Sequence, residues 1–525
     1  MQSRPHILFV SRRPDGVLNS GIFLCVRSEI CYLCSPKNGR TAARKAIVDF
    51  KRLEMRLIPI YWWNKEIHNF KVSQDKFSKQ PWANGVVLLV CVAVAMLLAN
   101  LPCTQQYYHS FLHTKLSISL QSPHNTVDWV FPKDMTVEKF INDILMVIFF
   151  FTVGLEIKRE VVCGELSSFK KAIMPVIAAL GGVLAPALIY FAVNRGTLAA
   201  SGWGIPTATD IAFAVGILSI LGDKVPVSLK VFLTALAIAD DLIAILVVAF
   251  FYGGSINGKL LLIALAIILI AALMKKLGEK RTAFYVVPLI AVWFLFYYAG
   301  IHATMSGVVM AFLIPLEARY NKAKFHRESK HLYQGLLESE AIEQGAGFPN
   351  GPERHFLRRL SEVSWKSVGP AYRLEHALSP LVNFVIMPIF ALANAGVEIT
   401  DLSYFNVFHF DPQLGGVGMG IFLGLLLGKP IGITLASFAA IKMKVGEMPA
   451  KASWKMLFAV ACLGGIGFTM SIFVDTLSFA GEGIPAATTL QMQDIGKIAV
   501  LMGSLCAALL GCLLINLVYK TGRKN

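Results

Sequence analysis

The stretch Leu229–Phe250, LKVFLTALAIADDLIAILVVAF, is long enough to cross a bilayer and carries two adjacent acids, Asp240 and Asp241, at its middle. A spanning helix needs about 20 mostly apolar residues, and this run supplies them. A charge at mid-membrane costs about 2.5–3.5 kcal/mol on insertion scales, so two side by side demand a purpose. Neighbours on a helix point about 100° apart, which lets one acid face an ion while the other faces a partner charge. Two carboxylates this close cannot both ionise freely, so the pair holds on to a proton. A hard cation such as Na⁺ prefers oxygen ligands and competes with that proton, which is the requirement of an exchanger. An interhelical polar contact is the competing account of the pair.

The rest of the chain agrees with a membrane reading. Of 525 residues, 55% are apolar and only 16% charged, and the mean hydropathy is +0.60. Soluble domains carry about 25% charged residues. The apolar runs predict about twelve spans, near 82–101, 140–155, 172–193, 204–221, 227–252, 259–277, 283–299, 301–317, 378–395, 415–441, 454–480 and 495–518. The fold class is therefore an all-α integral membrane protein. The net charge of +16 falls in the first 80 positions and in short loops, with no basic stripe interleaved with aromatics, which excludes nucleic acid as partner. Loops after even-numbered spans hold Lys158, Arg159, Lys170, Lys171, Lys224, Lys275, Lys276, Lys280, Arg281, Lys442, Lys444 and Lys451. The 396–414 and 481–494 loops hold no Lys or Arg. The positive-inside rule then places both termini in the cytoplasm.

The chain divides into a basic cytoplasmic extension (1–80), spans one to eight (81–317), a cytoplasmic loop insertion (318–372), spans nine to twelve (373–519) and a short cytoplasmic tail (520–525). Within the insertion, Gly345–Pro352 reads as a flexible cluster. Met55 is an alternative start closer to the first span. Cys31 and Cys34 form a lone Cys-x-x-Cys with no second pair, which does not make a four-ligand zinc site.

Other intramembrane charges are few. In GWGIPTATDIAFAVGILSILG (202–222), Pro206 and Thr207-Ala208-Thr209 break the start of the fourth span, and Asp210 is placed to balance a half-helix N-terminus. A partly solvated boundary residue is the alternative. In GIFLGLLLGKPIGITLASFAA (420–440), Lys429 is the one basic residue well inside a span. A buried lysine either loses its proton or finds an acid, and Asp210, Asp240 and Asp241 are available. In LGGIGFTMSIFVDTLSF (463–479), Gly464, Gly465 and Gly467 mark a second unwinding point, though glycines also serve close helix packing. At the cytoplasmic edge, Glu156, Lys158, Arg159 and Glu160 with Arg373, Glu375 and His376 form a mixed cluster. It suits pH sensing, and equally an ordinary solvated helix end.

The ordered strings GLEIKRE, GIPTATDIAFA, ALAIADDL, HATMSGV, RLEHALSP, FALANAGV, LLLGKPIGI and GGIGFTMSIF, spread over about 82–519, resemble the NhaA-type sodium/proton antiporters. The resemblance implies twelve helices with inverted repeats, and interrupted, crossed fourth and eleventh spans. It implies ion binding at Asp240 and Asp241, the latter central, with support from Thr209, Asp210 and Lys429. It implies pH-response positions at Glu156, Arg159, His302, Arg373, Glu375 and His376. It further implies electrogenic, pH-regulated export of Na⁺ or Li⁺ against H⁺ with no cofactor. It also implies a bacterial inner membrane as the setting, and a homodimer helped by the polar outer segment 102–136. Ser379 stands where some members carry a second histidine. Asp475, in the eleventh span, has no place in this scheme.

Two other function classes are testable against the residues. An intramembrane aspartic protease needs acids on separate helices facing across a water, with a Gly-x-Gly-Asp string that is absent here. A sodium-coupled symporter needs an organic-substrate pocket, which no motif suggests, and a channel would show current without counter-proton movement.

Overall fold

The computed structural model describes residues 82–522, apart from 117, 122–125, 130–134, 255, 341–350, 400–404, 413, 451 and 480–484. The N-terminal extension, Cys31, Cys34, Met55 and most of the Gly345–Pro352 cluster lie outside the described residues. Two compact units divide the chain. Residues 323–364 belong to one, and the membrane body, 80–322 with 365–525, is the other.

The membrane body is helical because its runs are apolar over span length, with breaks at Pro206, Pro315 and the Gly464–Gly467 cluster. In chain order α1 is Ala83–Asn100 and α2 Gln105–Leu112. A two-stranded antiparallel hairpin follows, β1 (Ile118–Gln121) with β2 (Thr126–Trp129), pairing Ile118 with Trp129. Next come α3 (Val137–Cys163) and α4 (Phe169–Asn194). A 3₁₀ segment at Leu198–Thr207 leads into α5 (Ile211–Leu221). Beyond it lie α6 (Val227–Phe251), α7 (Gly258–Lys276), α8 (Ala283–Ala299) and α9 (Met305–Leu313). The second half of the body holds α12 (Pro370–Asn394), α13 (Val417–Lys442), α14 (Trp454–Leu463), α15 (Phe468–Ser478) and α16 (Ala486–Gly522).

Among the described residues, nine helices are long and apolar enough to cross a membrane, or ten if α14 and α15, bent by 53°, make one span. The sequence expectation of twelve also includes α8, of 17 residues, and α9, of 9. The expected span at 301–317 is thus cut short. Ile314 is extended, at ψ 127°, because it precedes Pro315. The last span is longer than expected. The apolar run at 495–518 has polar flanks, TTLQMQD and YKTG, that simply continue the helix.

Among the described residues, three π-turns interrupt the regular helices, at Ile141–Leu145, Val382–Ile386 and Gly424–Gly428. The last two lie just before Pro388 and Pro430, where a missing N–H loosens the α ladder.

The expected 318–372 loop contains two helices, α10 (Lys322–Glu340) and α11 (Gly351–Lys366), rather than irregular chain. In α11, Phe356, Leu357, Leu360 and Val363 recur at helical spacing, and Phe356 packs on Gly335 of α10, whose added Cβ would meet the ring at 2.5 Å.

Packing of the membrane body centres on α4 against α13. Gly181 and Gly432 let the two backbones touch. A methyl at Gly432 would lie 2.7 Å from the Ala185 Cβ and closer still to the Gly181 carbonyl oxygen. Close approach through small residues is how helices associate where lipid offers no hydrophobic gain. Because α4 and α13 meet so closely, Lys429 is carried into the interior, its stem beside Gly182, where an added Cβ would lie 3.8 Å from the Lys429 Cδ.

A candidate ion-exchange centre where two broken spans meet

Pro206 cannot donate a backbone hydrogen bond, and beyond the 3₁₀ segment residues 208–210 run extended, with Ala208 at ψ 151° and Asp210 at ψ 102°. On the other broken span, α14 stops at Leu463 and α15 starts at Phe468, leaving Gly464–Gly467 between them. The two gaps are joined. The Asp210 N–H donates to the Ile466 carbonyl at 2.7 Å, and the Thr209 hydroxyl lies 2.8 Å from the Gly464 carbonyl.

Asp210 serves two helix starts with one carboxylate. Its Oδ1 accepts from the Phe213 N–H of α5 at 3.1 Å. Its Oδ2 accepts from the Thr469 N–H of α15 at 3.3 Å and from the Thr469 hydroxyl at 2.5 Å. Both helices point positive dipole ends at this acid, which favours an anion there. The remaining free donors at the start of α15, the N–H groups of Gly467 and Phe468, go to Ser504 Oγ of α16 at 3.2 and 3.1 Å.

Asp240 and Asp241 sit mid-way along α6, 0% and 2% exposed. Asp240 Oδ2 contacts the Lys429 ammonium and accepts from Thr209 Oγ1 at 2.5 Å. Lys429 also donates to Thr209 Oγ1 at 2.8 Å. Thr209 has one hydroxyl proton, so it serves either Asp240 or the Gly464 carbonyl at a given moment. Asp240 Oδ1 and Asp241 Oδ1 have no hydrogen-bond partner. A buried carboxylate oxygen without a donor is costly, so it invites a proton or a cation. The structure thus brings Thr209, Asp210, Asp240, Asp241 and Lys429 to one place, with the Lys429 ammonium hydrogen-bonded to Asp240.

The family model for Na⁺/H⁺ antiporter 1 matches residues 75–515. The chain belongs to this Na⁺/H⁺ antiporter family. Similar curated relatives are called Na(+)/H(+) antiporter NhaA. The protein from Helicobacter pylori (strain G27) is 39% identical over 450 residues, 86% of this chain and 96% of that protein. The one from Acidithiobacillus ferrooxidans is 40% identical over 443 residues, covering 84% and 96%. The one from Wolinella succinogenes is 40% identical over 442 residues, covering 84% and 92%. A solved structure, the sodium proton antiporter MjNhaP1 from Methanocaldococcus jannaschii at pH 8, aligns over 86% of this chain and 98% of that one. Its TM-score is 0.42 at 12% identity, too low to carry an argument. The Na⁺/H⁺ antiporter family consists of multi-pass membrane transporters and not of enzymes.

In this antiporter chain the positions tied to pH response by resemblance do not form one cluster. Arg159 of α3 lies 3.2 Å from Glu160, 4.0 Å from Glu156 and, across to α12, 3.1 Å from Glu375. The charge of Glu156 reaches Asp241, which links this cluster electrostatically to the aspartate pair. His376 stacks on Tyr372, with ring centroids 3.9 Å apart, while its charge acts on Glu375. Arg373 turns away, donating to the Trp365 carbonyl at 3.2 Å and lying 4.8 Å over the Trp365 ring. His302 belongs to the other end of the molecule, its Nε2 against the Tyr252 carbonyl just past the end of α6. Burial pushes His302 below the usual histidine value, and the Tyr252 carbonyl opposes that in part.

Sequence reasoning counted Lys158 among the loop charges after the second span, and the structure places it within α3. Its ammonium is buried and donates to the carbonyls of Phe312, at 2.8 Å, and Ile314, at the C-terminal end of α9. A cation there satisfies orphan carbonyls and complements the helix dipole. Also missed were Thr469 and Ser504, whose hydroxyls cap α15, and the reciprocal amide pair Asn142–Asn394 at 3.0 and 2.8 Å. Small polar residues in apolar runs give no charge or spacing signal by which to single them out.

Proposed function

We propose that this chain is a pH-regulated, electrogenic antiporter that exports Na⁺ or Li⁺ in exchange for protons at Asp240 and Asp241. One observation carries the reading: two adjacent, fully interior carboxylates each keep an oxygen without a hydrogen-bond partner, while the one nearby ammonium makes its direct contact with Asp240. The printed names of the NhaA relatives support sodium and protons as the cargo.

The exchange follows from competition. In the resting state a proton sits on Asp241 while the Lys429 ammonium pairs with the Asp240 carboxylate. A sodium ion arriving from the cytoplasmic funnel beside Glu156, Arg159 and Glu375 needs oxygen ligands. It takes Asp241 and Asp240, displacing the Asp241 proton and the Lys429 ammonium, which gives up its own proton as it loses its partner. Thr209 stays close by to supply its hydroxyl oxygen. Asp210 offsets the two positive helix ends, so that the broken segments of 204–210 and 464–468 hold their place as charge moves. Access then passes to the opposite face, where protons reverse the exchange. Electrogenicity means that more protons enter than sodium ions leave, with the Asp240–Lys429 pair the place where the extra proton is handled.

Both termini are cytoplasmic in this reading, the membrane is a bacterial inner membrane, and the working unit is a homodimer in which the 102–136 segment takes part. Residues 1–80 and 318–372 are cytoplasmic additions to the antiporter body.

The test is sodium-dependent proton flux in proteoliposomes. Asp241→Asn abolishes it while the protein stays folded, and lithium substitutes for sodium in the unaltered chain. Near-normal exchange by Asp241→Asn contradicts the proposal. Current without counter-proton movement identifies a channel instead.

A further inference from the structure

Asp475 is a membrane acid with no part in the exchange scheme. It lies on α15, six residues beyond Thr469, which is about 9 Å along a helix from the crossing of the broken spans. It is 0% exposed, and neither Oδ1 nor Oδ2 has a hydrogen-bond partner. Gly496 of α16 packs directly on it. A Cβ added there would come within 2.9 Å of the Asp475 Cγ and 3.2 Å of Oδ2. A side chain at 496 would occupy the carboxyl's own space.

The ionisable neighbours come from three elements. Lys497 and Asp494 of α16 act on Asp475 electrostatically, and its own charge reaches Tyr190 of α4 and Tyr252 after α6. Neither tyrosine donates to Asp475. The Tyr190 hydroxyl is spent on the Ala199 carbonyl at 2.9 Å, and that of Tyr252 on the Ser201 carbonyl at 2.9 Å. A buried carboxylate that no protein donor reaches takes up either a proton or a cation. A hard cation needs several oxygen ligands, whereas Asp475 offers a single carboxylate in a close-packed site. Among the described residues, no group of three or more His, Cys, Asp or Glu gathers to hold a metal ion. A proton needs only the one group.

A ladder of ionisable side chains leads outward from Asp475 with rising exposure. Lys497 and Asp494 pair at 3.8 Å, 12% and 29% exposed. The charges of His109 on α2 and of Glu398 after α12 act on Asp494, and these two lie 3.9 Å apart, 35% and 44% exposed. Four elements, α15, α16, α2 and the loop after α12, thus contribute to one line from the surface to the interior. It lies at the end of the molecule away from the Glu156–Glu375 cluster in the orientation proposed above.

We propose that Asp475 is a second proton site, loaded from the extracytoplasmic face along Glu398, His109, Asp494 and Lys497, which delivers protons toward the aspartate pair. This rests on the exchange reading above. The transfer is balanced: an external acid gives up its proton, the Asp475 carboxylate accepts it, and the proton passes on when access opens to Asp241. Sodium binding stays with Asp240 and Asp241.

Two measurements test it on the full-length chain. Infrared difference spectra in lipid nanodiscs, taken across a pH step, show a protonated-carboxyl carbonyl band that Asp475→Asn removes. In proteoliposomes, the same variant moves the external pH for half-maximal exchange by about one unit, about a tenfold change in proton concentration. Asp494→Asn, which keeps the Asp475 carboxyl and its Gly496 neighbour, moves it as well and serves if Asp475→Asn does not fold. The sodium concentration for half-maximal exchange, measured from the other face, does not change in either. The proposal is overturned if Asp475→Asn leaves the infrared band in place, or if its external-pH profile, or that of Asp494→Asn, superimposes on the unaltered one. Should the unaltered chain exchange no sodium at all, the functional reading fails, and the infrared band still decides whether Asp475 binds a proton.

Discussion

The Asp210 carboxylate on one interrupted span accepts both the backbone N–H and the hydroxyl of Thr469 on the other, at 3.3 and 2.5 Å. One acid therefore ties together two helix starts that no backbone ladder connects. The hydroxyl is the part of this link that a mutation can remove cleanly. Thr469→Val keeps the shape and the N–H bond but loses the hydroxyl, at a cost of about 1.5–3 kcal/mol for a hydrogen bond to a charged group. We expect a lower Tm in detergent and slower sodium-dependent proton flux. Asp210→Asn, which still caps α5, loses less in Tm than Asp210→Ala.

The Lys429–Asp240 contact makes a different prediction, because both groups are 0% exposed. Removing one partner of a buried ion pair leaves an uncompensated charge and costs about 3–5 kcal/mol. Lys429→Met alone is therefore strongly destabilised in thermal melts, and combining it with Asp240→Asn recovers most of the loss. If the double variant is no more stable than Lys429→Met, the pair is not what holds α6 to α13 at this point.

Packing through glycine is testable where α4 meets α13. Gly432→Ala places a methyl against the Gly181 carbonyl and the Ala185 Cβ. Overpacking of this kind costs about 1–3 kcal/mol. The expected outcome is a reduced Tm together with reduced exchange, since the shift displaces Lys429, three residues away. Gly258→Ala, where an added Cβ meets nothing within 4 Å, leaves both unchanged.

The two proposed pH-response regions separate by sign. Burial first, opposed by the Tyr252 carbonyl, holds His302 below the ordinary histidine value of about 6.5. A base whose folded value is lowered is neutral in both folded and unfolded states above that range, and favours unfolding as pH falls through the ordinary value. His302→Gln therefore leaves the neutral-to-alkaline limb of the activity profile in place and softens the loss of Tm between about pH 7 and 5. Glu375→Gln, which removes the negative charge from the contact to Arg159 across α3 and α12, moves the alkaline limb. A profile moved by His302→Gln at pH 7–8.5 contradicts this division.

The membrane class, the aspartate pair, Lys429 and both breaks were legible in the sequence because each rests on a strong local signal. A charge inside an apolar run and a Pro or a Gly cluster inside a span are visible without any partner. What was not legible depends on direction and distance. Lys158 follows Glu156 and Ile157 in a charged string, and only the fold shows it turning inward to the end of α9 while Arg159 faces Glu375. His302 and Glu375 share a role by resemblance but lie at opposite ends of the body. Asp210 was expected to balance one half-helix, and it caps two, because the second start comes from 259 residues away. The 318–372 segment reads as a loop by polarity, yet apolar residues spaced three and four apart in α11 make it helical. Asp475 carried no motif, and its isolation from any donor is a property of packing alone.

Proton release on sodium binding tests the central competition most directly. Purified protein in weakly buffered detergent solution, titrated with NaCl against an ionic-strength control, releases protons in the unaltered chain. The release is lost in Asp241→Asn. Saturable sodium binding with no proton release, or equal release from Asp241→Asn, contradicts the account.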